Sequence, residues 1–230
     1  MFKKIEVFVI VEGQTEEKFI KEIIAPALNH LFIFIKPILM KTSSNVKKGA
    51  GGDVNLDRLK FNLRNLMRQY PQAYFTTFVD LYGLDSSFPE YHETKSLEVY
   101  RRVDKLEQAL NELIVNEYAC RPERFFSYIQ PHEFEGLLFS DVASLVSTEG
   151  TWLKYQDALT TMRNSVDTPE HINDSRETAP SKRLEKTLRQ PNYHKTRHGA
   201  LIAKNITLSK IEQECSHFHG WMNHLRGLSV

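Results

Sequence analysis

The sequence predicts an α/β protein in which helices flank a parallel sheet, followed by a mainly helical C-terminal region. Three observations support this prediction. Over residues 1–147, apolar runs of strand length alternate with segments whose apolar residues recur at helical spacing. Two of those runs end in an acidic residue that a Gly follows closely, as expected of buried strands that end at a turn. Over residues 148–230, helical patterns separated by polar turns replace the β-type sequence.

The first element is the apolar run 5–11, rich in Ile, Val and Phe, which ends at Glu12 and Gly13. The polar segment that follows predicts a helix start, with Thr15 or a neighbour as the cap and acidic residues 16–17 near the positive end of the helix. Open α/β sheets bind ligands outside the carboxyl ends of their strands. Glu12 is therefore predicted to point into that crevice.

The next elements complete a strand, helix, strand unit. Apolar spacing predicts a helix over residues 17–29, a strand over 31–39 and a further helix over 53–70. Between the last two lies the polar loop 41–52, whose two lysines and open backbone suit an approach to phosphate. A solvated surface loop is the preferred interpretation, because the fixed spacing of a phosphate-binding loop is absent.

A second acidic residue stands at a strand end in the segment 73–84. The β-rich run there ends in Asp80, and a Gly follows shortly afterwards. Two acids delivered to one edge of a sheet suit a shared Mg²⁺, which proteins hold by one or two carboxylates together with water and substrate phosphate. The alternative is that Asp80 caps a turn, which is a common use of Asp.

A third group of ionisable side chains follows the helix predicted over residues 94–117. The short aromatic run 124–130 is strand-like and leads to His132, Glu133 and Glu135. One of the two glutamates is expected to serve a helix dipole while the other reaches the crevice. His132 suits a general acid or base, although an isolated His more often fills a structural role.

The character of the sequence changes after residue 147, which predicts an α/β domain over 1–147 and a mainly helical region over 148–230. Whether the second packs on the first as one unit is left open. A final helix is predicted over residues 208–225. Basic residues of this region are candidates for contacts with a nucleic-acid backbone, although such residues are usually only solvated. These candidates are Lys182, Arg183, Lys195 and Arg197.

Composition sets the broad class. The chain has 230 residues, of which 41% are hydrophobic and 26% charged, as in ordinary globular proteins. Its 30 Lys and Arg balance 29 Asp and Glu, so net charge predicts no general attraction to nucleic acid or to an anionic membrane. Two distant cysteines, Cys120 and Cys215, suit a reducing compartment. With no signal peptide or membrane span recognisable, a cytoplasmic location is expected.

With Glu12 in VEGQTEE, Asp80 in FVDLYGL and the acidic segment PHEFEGLLFSD, the chain resembles Toprim-type proteins. More closely, it resembles a family of uncharacterised Toprim-like bacterial proteins that are often encoded beside an ABC- or SMC-like ATPase in genome-defence settings. The resemblance extends through INDSRETAPSKRL and ECSHFHGWMNHL, and so covers most of the chain. Topoisomerases, primases and nucleases of the overcoming-lysogenization-defect type share the implied fold, a parallel sheet flanked by helices.

The resemblance implies roles for two acids. Glu12 would be the Toprim acid that acts as a general acid or base or as a metal ligand, and Asp80 would be the first acid of an Asp-x-Asp metal motif. Tyr82 stands where that motif has its second Asp. A missing carboxylate weakens Mg²⁺ binding unless another oxygen ligand replaces it.

Three acids are candidates for the missing ligand: Asp85, Glu133 and Glu135. Glu133 is favoured because its position after a strand brings it to the same edge of the sheet.

The leading hypothesis is a Toprim-like nuclease that uses Mg²⁺ or Mn²⁺ to cleave phosphodiester bonds of nucleic acid, together with a separately encoded ABC/SMC-like ATPase. Glu12, Asp80 and Glu133 form its predicted catalytic and metal site. The alternative is a catalytically silent module that binds the ATPase and senses nucleic acid or nucleotide, which Tyr82 supports. Transfer of a nucleotidyl or phosphoryl group to a small substrate is a third hypothesis, permitted by the near-neutral net charge.

Overall fold

A parallel sheet forms the centre of the protein. The computed structural model describes residues 4–40, 54–173 and 175–229, so the loop predicted over residues 41–52 lies outside the described residues. The strands run in the order β2-β1-β3-β4, β5 also pairs with β3, and every pairing is parallel. The predicted α/β fold is confirmed. The strands are β1 (Ile5–Val11), β2 (Ile33–Leu39), β3 (Tyr74–Asp80), β4 (Phe125–Phe126) and β5 (Ile129–Gln130).

The strand predicted over residues 124–130 is divided into β4 and β5. The interruption comes from Thr77 on β3, whose hydroxyl donates to the Tyr128 carbonyl and accepts from the Tyr128 N–H, both at 2.8 Å. A side chain therefore takes the place of backbone pairing at this point, because the buried amide of Tyr128 still needs a partner. The division leaves the direction of the chain unchanged, so β5 still leads to the carboxyl edge of the sheet.

Helices cover both faces of the sheet. The main ones are α1 (Gln14–Phe19), which continues as a π-helical segment (Ile20–Ile24) into α2 (Ala25–Leu28), α3 (Leu56–Gln69), α4 (Val99–Tyr118), α5 (Val142–Ser147), α6 (Gln156–Arg163), α7 (Pro180–Thr187), α8 (Lys195–Ile206), α9 (Leu208–Glu214) and α10 (Ser216–Gly227). Among the described residues, no helix combines the length and the apolar character needed to cross a bilayer.

Two helix boundaries differ from prediction. The helix α4 begins at Val99 rather than at residue 94, because the Glu98 carboxylate accepts hydrogen bonds from the N–H groups of Tyr100 and Arg101 and so caps the helix there. The single helix predicted over residues 208–225 is two helices, because Cys215 adopts an extended conformation between α9 and α10.

Alternation along β1 divides the core into two layers. Val7 and Val9 contribute to a cluster that includes Phe218 of α10, whereas Phe8 and Ile10 belong to a second cluster under α3 and α4. The first cluster draws its buried residues from the sheet, α1, α2 and the C-terminal helices alike. C-terminal helices therefore cover one face of the sheet and reach its carboxyl edge.

The strand order places a topological switch point between β1 and β3. The helices that follow β1 pack on one face of the sheet, and α4, which follows β3, packs on the other face. At such a switch point the connections diverge, and open α/β sheets generally bind ligands beyond the carboxyl ends of the two strands there. Glu12 directly follows β1, and Asp80 is the last residue of β3.

Candidate functional site

Asp80 lies buried at the carboxyl edge of the sheet. Only 8% of the residue is exposed, and its Oδ1 accepts a hydrogen bond from the Phe134 N–H at 2.8 Å. Burial raises the pKa of Asp80 well above its usual range, and the charges of Glu16 and Glu12 raise it further. Asp80 therefore lies among other carboxylates in a site with little access to water.

Glu12 reaches the same edge beside the turn that follows β3. Its carboxylate packs against Gly83, where a β-carbon would come within 2.9 Å of the Glu12 Cδ. The turn Leu81–Gly83 begins directly after Asp80. A side chain at position 83 and the present position of the Glu12 carboxylate are mutually exclusive, so Gly83 is a positioning residue that sequence analysis missed.

Glu16 and Glu135 complete an inner set of acids. Both are buried, at 8% and 1% exposure, on α1 and in the 3₁₀ segment after β5. Burial raises the pKa of Glu16. The Glu135 carboxylate accepts hydrogen bonds from the Tyr193 hydroxyl and the Lys195 Nζ, both at 3.2 Å, and burial is the main cause that raises its pKa to about 7. Glu135 is one of the predicted replacement ligands, whereas Glu16 is predicted only near a helix start.

Glu133, the favoured replacement for the missing second acid, lies at the edge of this group. Its Oε2 accepts a hydrogen bond from the Ser181 N–H at 3.0 Å, in the first turn of α7. Its Oε1 lies 4.0 Å from the Lys195 Nζ. One carboxylate oxygen thus holds a helix N-terminus, where negative charge is favourable, and the other faces the acidic site.

Lys195 brings a positive charge into the acidic group from the C-terminal region. Burial opposes its charge, but the carboxylates of Glu135, Glu133 and Asp80 outweigh that effect and raise its pKa above the usual range. Because Lys195 begins α8, its position depends on how closely that helix packs against α1. A β-carbon at Gly199 of α8 would lie 2.6 Å from the Thr15 Cγ2, so this packing requires Gly.

Six of these residues form what we call the acidic site. They come from β3, the segments that follow β1 and β5, and the helices α1 and α8. Its members are Glu12, Glu16, Asp80, Glu133, Glu135 and Lys195.

Tyr82, at the predicted place of the second acid, makes neutral contacts. The Asn173 side-chain amide donates a hydrogen bond to the Tyr82 hydroxyl. The Tyr82 ring centroid lies 5.4 Å from that of His132. A phenol in this environment adds no carboxylate to the acidic site, so any further acidic ligand must come from other elements.

The predicted nucleic-acid contacts lie in different surroundings. Lys182 pairs with Glu185 at 2.7 Å, and Arg197 pairs with Glu149 at 3.1 Å, in both cases on the surface. The Arg183 Nε donates to the Thr178 carbonyl at 2.7 Å. Of the four predicted residues, Lys195 lies in the acidic site itself. Contact of any of them with nucleic acid stays a prediction.

The donor set of the acidic site suits a hard divalent cation, because its acids offer only carboxylate oxygens. Among the described residues, however, the three side chains whose ligand atoms all lie within 4.8 Å of one another are Asp104, Glu107 and His217, between α4 and α10. There the His217 Nε2 lies 2.9 Å from the Glu107 Oε1 and its Nδ1 lies 3.8 Å from the Asp104 Oδ1. An ion pair with protonated His accounts for that arrangement.

The electrostatics of the acidic site differ from those of the group formed by Asp104, Glu107 and His217. Burial opposes the charge of His217, but the hydrogen bond to Glu107 and the charges of the nearby carboxylates together outweigh burial and raise the His217 pKa, so these groups compensate one another. In the acidic site five carboxylates accompany the single cation Lys195 among the residues named there, and the pKa values of Asp80, Glu16 and Glu135 are all raised. The ionised forms of these three acids are therefore unfavourable in the acidic site unless a further positive charge accompanies them.

Comparisons with known proteins place the chain in a family. No curated protein matches it. The C-terminal region of the Burkholderia pseudomallei OLD protein is 15% identical over 97% of this chain and 98% of that one, with a TM-score of 0.49. The equivalent region of the Xanthomonas campestris pv. campestris OLD protein is 13% identical over 96% and 94%, with a TM-score of 0.45. Residues 11–226 match the family described as domain of unknown function (DUF4276), and the chain belongs to that family.

Proposed function

We propose that the protein is a Toprim-like, metal-dependent nuclease that cleaves phosphodiester bonds of nucleic acid. The observation that supports this function is the acidic site: carboxylates from separate elements meet, largely buried, at the switch point of a parallel sheet beside a lysine. Burying several carboxylates together is unfavourable unless a cation compensates them. Such an arrangement is typical of a site that binds a cation and a phosphate group.

The cation that fits is Mg²⁺ or Mn²⁺, since both prefer oxygen ligands. Such a cation, when bound, would supply polarisation of the phosphoryl oxygen and stabilisation of its developing charge. Asp80 and Glu12 would hold the cation at the ends of β3 and β1, and Glu133 would offer the oxygen that faces the site. Glu16 and Glu135 add negative charge behind them.

The chain's own residues also serve the substrate. Lys195 stays protonated throughout the physiological pH range, because surrounding carboxylates raise its pKa, and it attracts the phosphate that the acids repel. Glu12, when it is not bound to the cation, moves a proton to or from the attacking water or the leaving oxygen.

A catalytically silent module is the second candidate function, and Tyr82 favours it. Tyr82, which replaces the second acid, contacts Asn173 and His132 and brings no negatively charged oxygen to the site. Such a module binds a separately encoded ABC/SMC-like ATPase and senses nucleic acid or nucleotide. It predicts that ATPase binding survives when Glu12 and Asp80 are both replaced by Ala and that Mn²⁺ binding does not depend on them.

Cleavage of mixed DNA and RNA substrates with Mg²⁺, Mn²⁺ or EDTA, with and without the candidate ATPase, tests the proposal. We expect cleavage with the divalent cations and none in EDTA, together with Mn²⁺ binding that is measurable by calorimetry. Absence of cleavage in every combination, with the ATPase still bound, would establish the silent module instead. Participation in genome defence is part of the same proposal, and phage plating on cells with and without the gene measures it.

Replacing Gly83 with Ala is expected to weaken Mn²⁺ binding by about tenfold with little change in stability. The new methyl group meets the flexible end of the Glu12 side chain rather than backbone, so the carboxylate moves and the fold stays intact. Gly220→Ala is the matched control, because a β-carbon at Gly220 has no atom within 4 Å. Equal Mn²⁺ affinities for Gly83→Ala, Gly220→Ala and the unaltered protein would show that Gly83 does not position Glu12 for binding.

A further inference from the structure

A second polar group, which we call the donor pocket, lies beside the acidic site. It comprises Arg102 of α4, His132 after β5 and His171 in the 3₁₀ turn Pro169–His171. Arg102 Nε, His132 Nδ1 and His171 Nε2 are buried atoms without a hydrogen-bond partner among the described residues. Arg102 Nε and His132 Nδ1 thus lack the partners that buried polar atoms normally have, whereas the His171 Nε2 lies 3.2 Å from the Glu98 carboxylate without forming a hydrogen bond to it.

The donor pocket adjoins the acidic site along two chain segments. His132 directly precedes Glu133, and its ring contacts Tyr82, whose neighbour Gly83 packs against the Glu12 carboxylate. Asn173, two residues after His171, donates a hydrogen bond to the Tyr82 hydroxyl. A molecule bound across the carboxyl edge of the sheet therefore reaches both groups.

Among the described residues one carboxylate, that of Glu98, approaches these nitrogen atoms closely, and it does so only at His171. The Glu98 Oε1 lies 3.2 Å from the His171 Nε2, while the Glu98 Oε2 accepts the N–H groups of Tyr100 and Arg101 at the start of α4. The Arg102 guanidinium lies 5.6 Å from the centroid of the Tyr91 ring, which orients it without accepting its Nε proton.

Burial, followed by the nearby charges of His171 and Arg102, lowers the pKa of His132 to about 4, so His132 is neutral at pH 7 and donates from one ring nitrogen. Nitrogen donors from neighbouring side chains are the chemistry that recognises a phosphate group, whose oxygens accept several hydrogen bonds at once. Arg in particular binds phosphate through directed N–H donors. The His171 side chain is 29% exposed, so the group can be reached from solvent at His171. Since the acidic site repels polyanions, a positive group beside it is needed to hold the rest of a nucleic-acid strand.

We propose that Arg102, His132 and His171 bind the phosphate next to the scissile one in a nucleic-acid strand. This proposal rests on the proposed function, since it takes the acidic site as the place of cleavage. Ordered water is the competing occupant of the pocket, and it predicts no effect of these side chains on binding.

Binding of short fluorescein-labelled single-stranded DNA and RNA in EDTA tests the proposal, because neither cleavage nor metal contributes to the signal. Arg102→Gln and His171→Ala are compared with Arg101→Gln, which removes an exposed charge from the adjacent position of the same helix. We expect Arg102→Gln to weaken binding by about tenfold and to lower the slope of log Kd against log salt by about one, as loss of one phosphate contact does. Arg101→Gln should leave both quantities nearly unchanged.

Arg102→Lys distinguishes loss of a phosphate contact from a purely structural effect of the substitution. It keeps the charge but not the Nε donor, so its affinity should lie between those of Arg102→Gln and the unaltered protein while its Tm matches that of the unaltered protein. Equal affinities for Arg102→Gln, Arg101→Gln and the unaltered protein would overturn the proposal, as would an absence of oligonucleotide binding by the unaltered protein.

The binding result is separable from the proposed function. Arg102-dependent binding without any cleavage activity would retain the phosphate subsite and remove the nuclease. Metal-dependent cleavage with binding that is insensitive to Arg102 and His171 would retain the nuclease and remove the subsite.

Discussion

Replacing Asp80 with Asn is expected to lower metal-dependent cleavage by about a thousandfold. Asn has nearly the shape of Asp, and its side-chain oxygen can keep the hydrogen bond from the Phe134 N–H at 2.8 Å. The substitution therefore removes the charge and leaves the contact. Glu12→Gln should act in the same direction, because both carboxylates belong to the proposed cation site.

Loss of activity in Asp80→Asn should not be accompanied by loss of stability. Burial and the charges of Glu16 and Glu12 raise the pKa of Asp80, which means that the ionised carboxylate is unfavourable in the folded protein without a cation. In EDTA at pH 7, the variant should have a Tm at least as high as the unaltered protein. A lower Tm for Asp80→Asn would contradict this account of the site.

The control for this substitution is Asp57→Asn, which removes an exposed acid from the first turn of α3. Its cleavage rate should equal that of the unaltered protein, measured by single-turnover assays with saturating Mg²⁺ or Mn²⁺. Similar cleavage by Asp80→Asn and Asp57→Asn would exclude Asp80 from the reaction and, with it, the proposed cation site.

Stability without divalent cations is expected to fall as the pH rises from about 4.5 to 7 because of Glu135. Burial raises the pKa of this carboxyl from 4.5 to about 7, with Glu133 and Glu16 adding to the shift and Lys195 opposing it. Between those values the folded state keeps a proton that the unfolded state has released, so folding becomes less favourable as the pH increases. The contribution is complete below pH 4.5, and its loss by pH 7 amounts to about 3 kcal/mol.

Urea unfolding in EDTA across this pH range measures the effect. Glu135→Gln resembles the protonated side chain at every pH, so its free energy of unfolding should fall less steeply than that of the unaltered protein. Glu123→Gln, at an exposed position, serves as the control and should follow the unaltered protein. Identical pH dependence in Glu135→Gln and the unaltered protein would show that Glu135 titrates alike in both states.

Addition of Mg²⁺ supplies a further readout of the same carboxylates. A cation stabilises the folded protein by binding to the ionised form of the site. The rise in Tm on adding Mg²⁺ should therefore be larger at pH 7 than at pH 5, which is the reverse of the trend expected without metal.

The local sequence pattern was sufficient to predict the two strands that lead to Glu12 and Asp80. The predicted run over residues 5–11 coincides with β1, and Asp80 ends β3 as its β-rich segment indicated. Both strands are buried, so their apolar character is visible in consecutive residues without knowledge of their neighbours. Boundaries that depend on one competing contact were harder to predict, as Glu98 shows by starting α4 at Val99.

Sequence alone thus determined the α/β class, the parallel sheet and the delivery of Glu12 and Asp80 to strand ends, because these depend on periodicity and on turn residues nearby. Only the tertiary structure decided that Lys195 enters the acidic site, that Gly83 makes room for Glu12 and that Arg102 lies near His132 and His171. Those contacts join residues far apart in the chain. They follow from how whole helices pack on the sheet, and the spacing of residues within a single element carries no information about such packing.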